Sequence, residues 1–150
     1  MINHAWTIVC QKSITDKETN NICLDVLEQL NIKAPPLPST AKGIIFPIHI
    51  EIVSLWYRNQ GEKGERGKGR IRVHTENNLD ISTANLNIDL ESNHRARTRV
   101  KMDGLPVPRN ALGYFYFVIE LESKGNWTKV SRVPLEVNIE NFASEDNTTK

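Results

Sequence analysis

Along this chain apolar and polar residues alternate with a period of two far more than with the 3.6 of a helix, and that period predicts strands. The longest run, Ile44–Tyr57, sets Phe46, Ile48, Ile50 and Ile52 on one side and Ile45, His49, Glu51 and Val53 on the other. His4–Ile14 is a second apolar run, closed by the polar turn TDKETNN. Segment 22–32 places Ile22, Leu24, Val26, Leu30 and Ile32 on one face, opposite Asp25, Gln29 and Asn31. Cys23, Leu27 and Leu30 also fit a short helix, but strand is the preferred reading. Arg70–Thr75 alternates Ile71 and Val73 with Arg70, Arg72 and His74.

Two hairpins follow from the same reading. Leu86, Ile88 and Leu90 alternate with Asn87, Asp89 and Glu91, and Ala96, Thr98, Val100 and Met102 with Arg95, Arg97, Arg99 and Lys101. Antiparallel partners share a face. A loop of Ser92, Asn93 and His94, with Asn93 or His94 at positive φ, would set Glu91 on Arg95, Asp89 on Arg97 and Leu90 on Ala96. After the loop GLPVPRN, Tyr114–Glu122 and Trp127–Glu140 flank the turn SKGN. Val130 breaks phase with Val133, Leu135 and Val137, which predicts a bulge near Ser131–Arg132.

APPLP at 34–38 cannot continue a ladder, because proline lacks the N–H, and it reads as a crossing between sheets. About eight amphipathic strands cannot hide their apolar faces in one flat sheet. The expectation is an all-β fold, a two-sheet antiparallel β-sandwich, immunoglobulin-like or C2-like. Residues 1–140 form one domain in this reading, and 141–150 a polar, frayed tail. Trp6, Trp56, Trp127, Phe46, Phe115 and Phe117 are the expected core anchors.

Composition adds bounds. The 150 residues carry 39% hydrophobic and 25% charged positions and a net charge of +1, so no whole-molecule field draws the chain to nucleic acid or membrane. Cys10 and Cys23 sit in apolar runs without metal spacing, which reads as two buried thiols in a reducing compartment. The N-terminus lacks a basic region followed by a long apolar stretch, and Ile44–Tyr57 contains Pro47, His49 and Glu51. The expectation is a cytoplasmic protein with no membrane span.

Residues 58–73, RNQGEKGERGKGRIRV, hold Gly61, Gly64, Gly67 and Gly69 among cations. A Walker loop would need Ser or Thr after GK, a dinucleotide fingerprint would need a following helix, and collagen would need proline. The stretch therefore reads as a mobile, exposed, basic loop between two strands. Arg58–Arg72 carries six basic and two acidic residues. Lys63, Arg66, Lys68, Arg70 and Arg72 are its candidate contacts, and Arg95, Arg97, Arg99 and Lys101 form a second basic row. Asp89 and Glu91, set against that row, disfavour nucleic acid. His49 and Glu51 lack further ligands at a recognisable spacing, and no catalytic signature occurs, so neither metal, cofactor nor catalytic residue is expected.

The opening AWTIVCQKSITDKETNNICLDVLEQLNI, the strand GIIFPIHIEIVSLWYR and the late hairpin YFYFVIELE…WTKVSRVPLEVNI resemble a family of small uncharacterised bacterial β-sandwich proteins over residues 4–140. The resemblance implies the fold and a bacterial cytoplasmic origin, and no site residues. The functional expectation is a non-enzymatic binding or protein-interaction module. Its alternatives are an anion or nucleic-acid binder using loop 58–72 with strand 95–101, and a hydrolase with a dispersed site. Exposed sheet edges allow a homo-oligomer.

Overall fold

The computed structural model describes residues 1–140; the expected tail, 141–150, lies outside them. Nine strands and no helix make up the described residues. They are β1 (Asn3–Thr15), β2 (Ile22–Val26), β3 (Gln29–Lys33), β4 (Gly43–Tyr57), β5 (Arg66–Thr75), β6 (Asp80–Asp89), β7 (Arg95–Pro108), β8 (Tyr114–Ser123) and β9 (Asn126–Glu140). One sheet runs β2-β1-β4-β7, the other β3-β9-β8-β5-β6. Val9, Ile50, Ile52 and Trp56 of the first pack on Ile71, Val73, Phe115, Phe117 and Ile119 of the second in one apolar core. The expected all-β sandwich is present. It is not wholly antiparallel, because β3 runs parallel to β9.

The extra strand comes from segment 22–32, which is neither a helix nor one strand. It breaks at Leu27 and Glu28 and changes sheets there. The Leu27 N–H donates to Val9 O in the first sheet, while the Glu136 N–H in the second donates to Glu28 O. The break inverts the exposure of neighbouring residues: Val26 is exposed and Leu27 buried. Residues 34–42, with APPLP, then carry the chain back from β3 to β4, the crossing expected of that proline run.

The hairpin of residues 86–102 is absent. Strand β6 pairs with β5, setting Asp89 on Arg66, and β7 pairs with β4, setting Lys101 on Glu51 and Arg99 on Val53. Each strand does alternate as expected. A regular amphipathic strand, however, matches the face of any antiparallel neighbour, so the proposed register fitted a partner that lies in the other sheet. Residues 90–94 cross between sheets, and Asn93 and His94 are not among the positive-φ residues, which besides glycines are Asn20, Asn78 and Lys124. GLPVPRN is likewise not all loop, since β7 runs on to Pro108 opposite β4.

The late hairpin forms as expected on a two-residue turn, Lys124 (φ 51°) and Gly125 (φ 79°). Its register shifts between Ile119 and Glu120, which leaves Val130 as the extra residue, one place from the expected bulge. Of the expected anchors, Trp56, Phe115 and Phe117 are fully buried. The Trp56 indole N–H donates to Thr98 Oγ1 at 2.9 Å, so the ring is buried without an orphaned donor. Phe46 is half-buried against the core. Trp6 and Trp127 are not core residues, because the register points both at outer faces.

Candidate interaction surface

The glycine-rich stretch is not a loop through Arg72. Only residues 58–65 are loop; Arg66–Thr75 is β5, an inner strand between β6 and β8. Glycine usually weakens a strand unless a neighbour comes too close for a side chain. That is the case here. A β-carbon on Gly67 would strike Ile2 Cδ1, and one on Gly69 would lie 3.2 Å from Glu120 O and 3.4 Å from Leu86 Cδ1. Gly64 meets the backbone of Glu91, and Gly61 alone serves a turn, at φ +86°. The loop is held rather than loose. Arg58 donates from Nε to Leu90 O at 2.9 Å and from Nη1 to Glu62 O at 2.7 Å.

The expected contact residues divide between two opposite faces. Arg66, Lys68, Arg70 and Arg72 project from β5 on the outer face of the five-stranded sheet, alternating with the core residues Ile71 and Val73. Lys63 is exposed in the loop. Arg95, Arg97, Arg99 and Lys101 project from β7 on the outer face of the four-stranded sheet. The two rows cannot form one basic surface. The cations on β5 are also largely paired: Arg66 with Asp89 (3.2 Å) and Glu91 (3.0 Å), and Arg70 and Arg72 with Glu120.

Glu120 organises the five-stranded face. It is buried, although it points outward, because Arg70 and Arg72 converge on its two oxygens. Burial pushes its carboxyl up, but the hydrogen bond from Arg70 and the charge of Arg72 outweigh that, and the net displacement is below the ordinary value. Arg70 also lies over the Trp127 ring, 4.2 Å from its centroid, and Arg132 lies over Tyr116 at 3.5 Å. Tyr116 meets His74 at 5.6 Å and Tyr114 at 6.1 Å between ring centroids. Tyr114 and Trp127 stay 41% and 36% exposed. At one end of the face a cleft of about 440 Å³ is lined by Arg66, Gly67, Lys68, Asn87, Ile88 and Asp89. No described residue covers this sheet with a helix.

The four-stranded face is covered in part: the row Arg95, Arg97, Arg99 and Lys101 on β7 stays exposed, while the stretch around Cys10, Glu51 and Val53 is buried. Beyond Cys10 the first strand leaves β4, and residues 12–15 pair with β2 alone. The resulting arm folds over the sheet. Ser13 Oγ donates to Glu51 at 2.5 Å, Arg99 Nη2 to Thr15 Oγ1 at 3.5 Å and Arg97 Nη2 to Asn20 O at 2.8 Å. Cys10 and Val53, both facing outward, are 0% exposed as a result. Both thiols are free, but Cys23, expected to be buried, is exposed on the arm. Burial pushes the Cys10 thiol up.

His49 stands at the edge of this covered face, with Nδ1 2.7 Å from Asp103 and Nε2 3.4 Å from Glu51. The Asp103 hydrogen bond, with that of Glu51, raises the imidazole above its ordinary value. The Ser13 hydroxyl, helped by His49 and Arg99, holds Glu51 below its own. Ser13 meets the carboxylate and not the imidazole, so the chain of contacts does not place a hydroxyl nucleophile on a histidine base. Among the described residues no group of three or more His, Cys, Asp or Glu is placed to hold a metal ion. No helix there is long and apolar enough to cross a membrane.

Sequence reasoning missed Tyr114, Tyr116, Trp127, Glu120 and Arg132. The signal was present: each falls on the polar side of the alternation in β8 and β9. Residue type sends aromatics to the core, whereas the phase of the strand sends Trp127 outward.

Fold and face together define a β-sandwich that leaves one sheet open as an arginine- and aromatic-rich surface. No family model and no curated protein matches the chain. Among solved structures it is similar to the C-terminal domain of wzt, at 11% identity and a TM-score of 0.39 over 70% of this chain and 71% of that one.

Proposed function

We propose that the chain is a non-enzymatic protein-interaction module whose contact surface is the outer face of the five-stranded sheet. The observation that carries this reading is the pair of arginine–aromatic stacks, Arg70 on Trp127 and Arg132 on Tyr116, on an uncovered sheet. Tyr, Trp and Arg are the residues enriched in the buried centres of protein interfaces and in their energetic hot spots. Stacking and the shared carboxylate of Glu120 hold these long side chains in place before binding, which reduces the entropy lost on association. The pairing of Arg66, Arg70 and Arg72 with carboxylates argues for a mixed polar partner over a polyanion. The reading places the chain in a reducing, cytoplasmic compartment, where its two thiols would stay free.

The test is a binding-partner screen with the immobilised chain, repeated with Trp127→Ala/Arg132→Ala and with Arg95→Ala/Lys101→Ala. A partner held by the wild type and the second variant but lost by the first supports the reading. A partner lost only by the second variant refutes it. Tight, steeply salt-dependent retention on heparin or single-stranded DNA that needs Arg66 and Lys68 would favour the anion-binding alternative.

A further inference from the structure

Four strands end the two sheets, and three of them are defended against pairing with another chain. Strands β2 and β3 are only 5 residues each. Strand β7 is long, but it carries Arg95, Arg97, Arg99 and Lys101, and Pro106 and Pro108 lack the N–H a new partner would need. Strand β6 has none of these devices. It runs for 10 residues without Lys, Arg or Pro, and between Asp80 and Asp89 it bears no charge. It pairs only with β5. Among the described residues no side chain donates to or accepts from the backbone of residues 81–88. Its register with β5 shifts at Ile81, but from Ser82 to Ile88 the edge is regular and neutral, a template for a further strand.

We infer that this edge pairs with β6 of a second copy of the chain, antiparallel, about a two-fold axis through Asn85. The sequence is self-complementary about that residue. Thr83 then faces Asn87 of the partner subunit on the outer side. On the core side Ala84 faces Leu86 of the partner subunit and Ser82 faces Ile88 of the partner subunit, a small residue against a large one each time. Faces match, since partners across the axis share parity with the core residues Leu86 and Ile88. The charges also permit it. The nearest cations in register, Arg70 beside Asn85, Arg72 beside Thr83 and Lys68 beside Asn87, stay on β5. In the pair they are separated by two uncharged strands, about 14 Å at three strand spacings, beyond a Debye length of about 10 Å at 0.1 M salt. An edge pairing buries less than the roughly 1,200 Å² of a stable interface, so the dimer dissociates in the micromolar range.

Sedimentation equilibrium of the full chain tests this with two charge substitutions on the axis. Asn85→Asp faces Arg70 within the subunit and leaves the fold intact, but sets two carboxylates opposite one another in the dimer. Asn85→Lys sets two ammonium groups there. The wild type should dimerise with rising concentration, and each variant should weaken the dimer by at least about tenfold, like charges directly opposite being unfavourable. An equimolar mixture of the two variants should recover the dimer, now as Asp against Lys. A wild type that stays monomeric to about 500 µM, well above a micromolar constant, overturns the inference. So does a dimer that ignores both substitutions, which would lie on another surface. Circular dichroism of each variant separates loss of pairing from loss of fold.

Discussion

Gly64 lies directly against the main chain of Glu91, so that a β-carbon there would fall 2.8 Å from both the Glu91 carbonyl carbon and its Cα. The obstacle is backbone and cannot rotate away. Gly67 meets only the end of the Ile2 side chain, and Gly61 meets nothing but sits at φ +86°. Gly61, Gly64 and Gly67, three residues apart in sequence, therefore do three separate things.

The substitutions Gly61→Ala, Gly64→Ala and Gly67→Ala should rank accordingly. Gly64→Ala should cost the most, about 2–3 kcal/mol, because forced overpacking moves two loops apart. Gly61→Ala should cost about 1 kcal/mol through its left-handed backbone. Gly67→Ala should cost about 1 kcal/mol or less, since Ile2 can change rotamer. Urea unfolding measures all three, and a Gly67 cost above that of Gly64 would show that the account of the loop is mistaken.

This part of the fold was legible only in fragments. The alternation in 44–57, 70–75 and 114–122 gave strands because one face of each is core, and a buried face imprints its period. The stretch 66–69 gave no such imprint, as its inward positions are Gly67 and Gly69, small enough to admit Ile2 and Leu86. Its strand was therefore hidden under residues that ordinarily mark a loop. Partner choice was not legible either. Arg97 was set against Asp89 by charge and phase, yet it lies beside Leu55 in the other sheet. Local pattern fixes a face; which neighbour shares it is decided by how the connections cross between sheets.

Glu120 should control the acid stability of the five-stranded face. Its carboxyl is displaced downward in the fold, so its contribution is complete above the ordinary carboxylate value and is lost as pH falls through the folded one. Glu120→Gln should cost about 1–3 kcal/mol at pH 7, where Arg70 and Arg72 lose a buried charged acceptor. The cost should shrink toward zero below that window, as the wild type protonates. Thermal melts from pH 2 to 7 follow this, and a cost independent of pH would leave Glu120 without its electrostatic part.

The two thiols should react separately. Cys23 is exposed and Cys10 lies under the β1–β2 arm. An aromatic disulfide reagent should titrate one equivalent quickly and the second at least about a hundredfold more slowly, at the rate of local opening. Ser13→Ala/Arg97→Ala removes two of the contacts that seat the arm and should speed the slow phase while Cys23 is unchanged. Two fast thiols in the wild type would mean that the arm does not cover the sheet.

His49 should report the same arm from its other side. Its imidazole is held above the ordinary value chiefly by Asp103, then by Glu51, which Ser13 in turn engages. A group raised in the fold stabilises fully below its unfolded value, near 6.5, and the contribution fades as pH rises through the folded one. His49→Gln should therefore destabilise at pH 5.5 and be neutral at pH 8.5. Because Asp103 is exposed, the gain is small and screened by salt. In an NMR titration Asp103→Asn should lower the His49 midpoint more than Ser13→Ala does, and 1 M salt should bring wild type and Asp103→Asn together. Equal effects of the two substitutions would transfer the dominant role from Asp103 to the carboxylate beneath the arm.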